Sequence, residues 1–212
     1  DTTAYKKEGS TSQSFDSVYG IKINDSSVNY IHQNIGRMSL GVKVGETYTD
    51  YGDGNLEETE QLYDMALSGK GFFAISYADR NGNESVRYTR DGNFTVNSQG
   101  VLVTKDGDFV LAEDGGLINI PEGVKISVDE SGRITADGQE IAQLQLVDFE
   151  DYNYLKKFGE NMYIAIDGAT TTDAQCKVYQ GYLEASNVNV VTEMVDMITI
   201  TRDYESNQKV IQ

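Results

Sequence analysis

Phe94-Thr95-Val96-Asn97-Ser98-Gln99-Gly100-Val101-Leu102-Val103 is the stretch on which the reading of this chain turns. Two short β-favouring runs flank Asn97-Ser98-Gln99-Gly100, a four-residue connection with glycine last. That is the composition of a type I turn closed by a left-handed glycine, so the stretch predicts a tight hairpin. The device recurs as Ile126-Ser127-Val128, Asp129-Glu130-Ser131-Gly132 and Arg133-Ile134-Thr135. Asp106-Gly107 and Asp137-Gly138 mark two more turns. Asn81-Gly82, a strong short-hairpin signal, follows the aromatic run Phe72-Phe73-Ala74-Ile75-Ser76-Tyr77.

Outward from these hairpins, Ile141 through Phe149 reads as one longer strand, and Met162-Tyr163-Ile164-Ala165-Ile166 as the last clear one. Short strands about ten residues apart predict a mainly β fold. The expectation is a sandwich or barrel-like β domain of hairpin-connected strands over 61–183. Residues 1–60 read as an extended N-terminal connecting segment. Val18, Ile21, Ile23, Val28, Tyr30 and Ile31 hint there at short extended pieces, and Gly41-Val42-Lys43-Val44-Gly45 at a strand bounded by glycines.

Over 184–212 the texture changes to that of the start of a coiled-coil helix. Val190, Met194, Met197, Thr201, Tyr204, Gln208 and Ile211 fall at alternating steps of four and three, a heptad seam. Val191, Val195 and Ile198 widen the stripe, and Asn189 is a suitable N-cap. Isolated helices this short are marginal in water, so this one needs a partner. Either it docks on its own β domain or it pairs with another helix, the seam then serving as an assembly interface.

Composition narrows the function. The chain has 212 residues, of which 34 are acidic and 17 basic, a net charge of −17. Such a surface repels a phosphate backbone and an anionic membrane, which excludes nucleic acid as a partner. No stretch approaches the roughly 20 apolar residues that span a bilayer, so direct membrane insertion is not expected. Cys176 and His32 are each the only residue of their type, which argues against nucleophile–imidazole catalysis and a His/Cys metal cage. Carboxylate pairs such as Asp129 with Glu130 arise from the acidic composition, so neither catalytic residues nor a cofactor are expected. Asp50-Tyr51-Gly52-Asp53-Gly54-Asn55 and Asp106-Gly107-Asp108 faintly suggest calcium loops, but the closing bidentate glutamate is missing and Asp-Gly is first a turn signal. Fourteen tyrosines and no tryptophan leave open an extracellular carbohydrate-binding or adhesin-like β module.

Several blocks carry a family resemblance. Ser186-Asn187-Val188-Asn189-Val190-Val191-Thr192-Glu193-Met194-Val195-Asp196-Met197-Ile198 and Thr201-Arg202-Asp203-Tyr204-Glu205-Ser206-Asn207 are similar to the C-terminal helix of flagellar rod and hook proteins. Gly181-Tyr182-Leu183-Glu184, Gly54-Asn55-Leu56-Glu57-Glu58-Thr59, Asp64-Met65-Ala66-Leu67-Ser68-Gly69-Lys70-Gly71-Phe72-Phe73 and Tyr88-Thr89-Arg90-Asp91-Gly92-Asn93-Phe94 occur in the family's order. Thr2-Thr3-Ala4-Tyr5-Lys6-Lys7 resembles the sequence that closes the N-terminal helix, with Ala4 where the family usually has glycine. The chain thus resembles the flagellar basal-body rod proteins, best the distal-rod type, with the proximal-rod type close behind. The resemblance implies a structural subunit, not an enzyme, that polymerises helically into a hollow drive shaft between motor and hook. It implies as partners the chain itself, neighbouring rod and hook subunits and ring or bushing proteins. It also implies type III export and residence in the basal body outside the cytoplasmic membrane. The chain would then lack the N-terminal helix and the end of the C-terminal one.

Overall fold

A computed structural model describes residues 2–14, 18–22, 33–38, 42–79 and 82–211. They divide into two units, one of residues 1–6 with 52–212 and one of residues 7–51. The smaller unit is built of antiparallel ribbons. Glu8–Ser14 pairs with Val42–Thr49, with an irregularity between Ser10 and Ser12, and Val18–Lys22 pairs with Gln33–Met38. Val18, Ile21 and Val42 through Gly45 accordingly lie in strands. Gly41, His32 and the hints at Ile23, Val28, Tyr30 and Ile31 lie outside the described residues.

The larger unit is mainly β and ends in one helix. Its principal sheet runs in the order Leu155–Phe158, Met162–Ala165, Glu84–Thr89, Phe72–Ala78, Phe109–Val110, Leu102–Thr104 and Phe94–Val96. Leu146–Phe149 also pairs with Phe72–Ala78, and Thr171–Asp173 lies beyond it. Phe72–Ala78 holds the centre because it is apolar on both faces. Phe73 enters the main core with Met65, Leu67, Leu102, Val110, Ile118, Ile134, Leu144 and Val178. Phe72 points the other way and meets Phe149, Tyr152 and Tyr163 edge-on, at centroid distances of 6.1, 5.9 and 5.5 Å. Each such side chain contributes about 1.5–3 kcal/mol by leaving water. The sheets stay open rather than closing into a barrel.

Both turns read from sequence form as expected. Gly100 N–H donates to Asn97 O at 3.0 Å, and Asn97 Oδ1 accepts from the amides of Gln99 and Val101. Gly132 N–H donates to Asp129 O, while Asp129 Oδ1 takes the amides of Ser131 and Arg133. Gly100 has φ +79°, and a Cβ there would lie 3.1 Å from Ile120 O. Gly100→Ala is therefore expected to cost about 1–2 kcal/mol, seen as a lowered midpoint in thermal unfolding.

Two strand readings need correction. Ile141 through Phe149 is not one strand. Gln139–Gln143 completes a three-stranded sheet with Ile126–Val128 and Arg133–Ala136, whereas Leu146–Phe149 joins the principal sheet. The break comes at Leu144 and Gln145, whose amides donate to Gly132 O and Leu111 O. Nor is Met162–Ala165 the last strand: Gln175–Gln180 pairs with Met65–Lys70, and Tyr182–Glu184 with Leu56–Glu58. Those strands are polar or short, and their partners lie over a hundred residues away.

Tyr152 donates its hydroxyl to Asp148 Oδ1 at 2.7 Å. Burial first, then that bond and the Asp148 charge, push its pKa far above the ordinary value; burial alone raises Tyr88. The unfolded chain loses these protons from pH about 10 upward while the folded chain keeps them, so their contribution is full below pH 10 and falls above it. Alkaline titration should show Tyr88 ionising late and Tyr152 only as circular dichroism is lost.

Candidate functional site

Five of the quoted blocks converge on one buried group of charges at the root of the helix. Glu184, the last residue of Tyr182–Glu184, has a carboxylate with no exposure. Its Oε1 accepts from Lys6 Nζ at 2.5 Å and Gly54 N–H at 2.8 Å, and its Oε2 accepts from Arg90 Nε at 2.9 Å. Arg90 completes its fork with Gly69 O, Gly71 O and Asp53 Oδ1, at 2.6, 2.9 and 2.6 Å. Lys6 Nζ also donates to Gly52 O at 2.7 Å. Two cations thus face two carboxylates, and only Asp53 reaches water. Burial holds the Lys6 amine below the usual lysine pKa, outweighing the Glu184 bond and charge that raise it.

The backbone around this clasp explains its local sequence. A Cβ on Gly92 would lie 1.6 Å from Met65 O, and one on Gly54 would lie 1.9 Å from Ala185 O, so neither position admits a side chain. In Arg90-Asp91-Gly92, the arginine grips Glu184 and the glycine lets the Met65 backbone close in. Asp91 binds Thr3 Oγ1 at 2.8 Å and Asn161 Nδ2 at 2.6 Å. Residues 2–6 are further tied by Ala4 N–H to Glu184 O, and by Ser186 Oγ and Asn187 N–H to Tyr5 O. Ala4 is buried at φ +54°, a left-handed conformation that accounts for the usual glycine there.

Beyond the clasp, Val190–Ile211 forms the helix. Asn189 caps it, its Oδ1 accepting from Val191 and Thr192 N–H at 3.0 and 3.1 Å. The seam residues line one side without cover: Val190, Met194, Met197 and Tyr204 are 55, 58, 68 and 69 % exposed, and Thr201 and Gln208 are exposed as well. Ile211 is the last helical residue, and its side chain lies outside the described set. Docking on the β body, the first alternative from sequence, is not what the structure adopts. Thr201 Oγ1 donates back to Met197 O at 2.8 Å, which leaves its methyl to the seam. Val191, Val195, Ile198 and Ile200 are also exposed. With 100° per residue, the apolar side chains of the first three turns from Met197 round to Val195 cover roughly 160° of the circumference, with Ile200 beyond Glu193.

Sequence reading missed the clasp, because Lys6, Arg90 and Glu184 lie 94 or more residues from the others except for the Lys6–Arg90 step. Their one signal was that each stood in a block carrying the family resemblance. Of the acidic turns, Asp53 is committed to Arg90, and Asp106-Gly107 is a tight turn with Gly107 N–H on Thr104 O. Among the described residues no group of three or more His, Cys, Asp or Glu could hold a metal ion. Among them, too, no helix is long and apolar enough to cross a membrane.

A mainly β body, a buried clasp and an uncovered terminal helix define a class of protein whose helix finds no shelter on its own fold. The family model described as "Flagellar hook protein FlgE/F/G D1 domain" matches residues 66–136, and "Flagellar basal body rod FlgEFG protein C-terminal" matches residues 179–212. The flagellar basal-body rod protein FlgG of Buchnera aphidicola subsp. Schizaphis graminum is 36% identical over 189 residues, 82% of this chain and 70% of that protein. FlgG of Agrobacterium fabrum is 33% identical over 229 aligned positions, 100% of this chain and 84% of that one. The rod protein FlgF of Caulobacter vibrioides is 38% identical over 166 residues, 76% of this chain and 65% of that one. The chain belongs to the flagellar basal-body rod protein family.

Proposed function

We propose that this chain is a structural subunit of the flagellar basal-body rod, acting through assembly and not through catalysis. One observation carries the reading: an N-capped helix presents Val190, Met194, Met197 and Tyr204 to solvent from a root held by buried charge. Apolar surface of that extent normally marks an interface. Val190, Met194, Met197, Thr201, Tyr204, Gln208 and Ile211 form the assembly seam. The partners are further copies of the chain and neighbouring rod and hook subunits, with ring or bushing proteins around them. The polymer is a hollow shaft in the basal body, outside the cytoplasmic membrane. Wide coverage of this chain by FlgG relatives favours the distal-rod type.

The 1–60 segment, the 61–183 body and the 184–212 helix are proposed to act as connector, spacer and polymerising arm. With a net charge of −17, copies repel at long range, so assembly relies on apolar contact at the helix. The test is composition: basal bodies purified from the native host should contain this chain as a stoichiometric component. Basal bodies that form without it, or saturable glycan binding by the chain, would overturn the reading.

A further inference from the structure

The segment from which the helix departs lies on a surface that Lys6 holds in place. Lys6 Nζ grips Gly52 O and Glu184 together, and Gly54 N–H shares the same carboxylate oxygen. The 52–55 loop then carries the exit. Asn55 O accepts Ala185 N–H at 2.8 Å, Gly52 O accepts Asn187 Nδ2 at 3.1 Å, and Gly54 has no Cβ to obstruct Ala185. On the other flank, Tyr5 O accepts Ser186 Oγ at 3.0 Å. Residues 185–187 are therefore bracketed by two elements, and the same amine ties both to Glu184.

We infer that the clasp is a two-ended latch, through which docking of residues 2–6 fixes the segment that launches the helix. Buried ion pairs often add little net stability over apolar replacements, and specifying one geometry is their better-attested use. Here the geometry specified is the join between the β body and the helix. With Lys6 withdrawn, Glu184 keeps Arg90 and the body keeps its core, while the 52–55 loop loses its tie at Gly52 and is held to the clasp only through Gly54 N–H and Asp53. The inference does not depend on the rod assignment, since it concerns coupling within one chain.

Amide hydrogen exchange on the whole chain tests it, comparing the native protein with Lys6→Met. The amides of Gly54 and Ala185 are expected to exchange at least about tenfold faster, with those of Phe73, Ala74 and Ile75 accelerated much less, the pattern of a local opening. Unchanged exchange at Gly54 and Ala185 would overturn the proposal. So would equal acceleration in the central strand, which would reduce the clasp to general stability. If Lys6→Met fails to fold, Thr3→Val loosens the same segment at Asp91 without touching the clasp charges. The same two amides decide the outcome: faster exchange supports the latch, and unchanged exchange rejects it.

Discussion

Glu184→Ala is expected to lower the unfolding free energy of the larger unit by about 3–5 kcal/mol, the usual cost of removing one partner from a buried ion pair. The loss is large because one carboxylate serves Lys6, Arg90 and the Gly54 amide at once. Alanine would leave two cations facing each other, with only the half-exposed Asp53 to compensate. Lys6→Met should cost less, since burial already disfavours that amine and the variant still pairs Glu184 with Arg90. Urea unfolding followed by circular dichroism checks both, the midpoint shift giving the difference at unchanged slope. A loss below about 1 kcal/mol in Glu184→Ala, within the range of a surface pair, would contradict the clasp.

Met197→Asp should abolish basal-body assembly in the native host while leaving the isolated chain as stable as before. Met197 is 68 % exposed, so the isolated fold gives up no core contact, and surface changes of this kind usually stay within about 0.5 kcal/mol. In an assembled seam the same carboxylate would be buried unpaired, at a cost of several kcal/mol. Tyr204→Asp, 69 % exposed on the same side, should behave alike. Electron microscopy of basal bodies and thermal melts of the purified variants separate the two effects. Normal motility in either variant would count against the seam; a depressed melt would show that the helix is covered by its own body after all.

What could be read from the chain alone was what local chemistry determines. Asn97 and Asp129 announce their turns because side-chain oxygens and a left-handed glycine act within four residues. Asn189 and the apolar spacing after it announce the helix for the same reason. Pairing across distance left no such trace. Gln175–Gln180 lies against Met65–Lys70 and fills the core mainly through Val178, so its sequence reads as polar. Leu144 bends the chain toward Gly132 instead of continuing a strand, a choice set by the neighbouring sheet. The clasp was present as resemblance only: Lys6, Arg90 and Glu184 each stood in a quoted block, but nothing in those blocks says that they meet.

The bond between Lys6 and Glu184 spans 178 positions of the chain, and that separation has a temporal consequence. During synthesis, residue 6 leaves the ribosome long before its counterpart exists. Residues 2–6 must stay undocked until nearly the whole β body has been made. Hairpins such as Phe94–Val96 with Leu102–Thr104 can form at once, because their partners emerge together. Closure of the clasp therefore comes late, and a chain halted before residue 184 would leave Arg90 with Asp53 as its one carboxylate partner of the clasp.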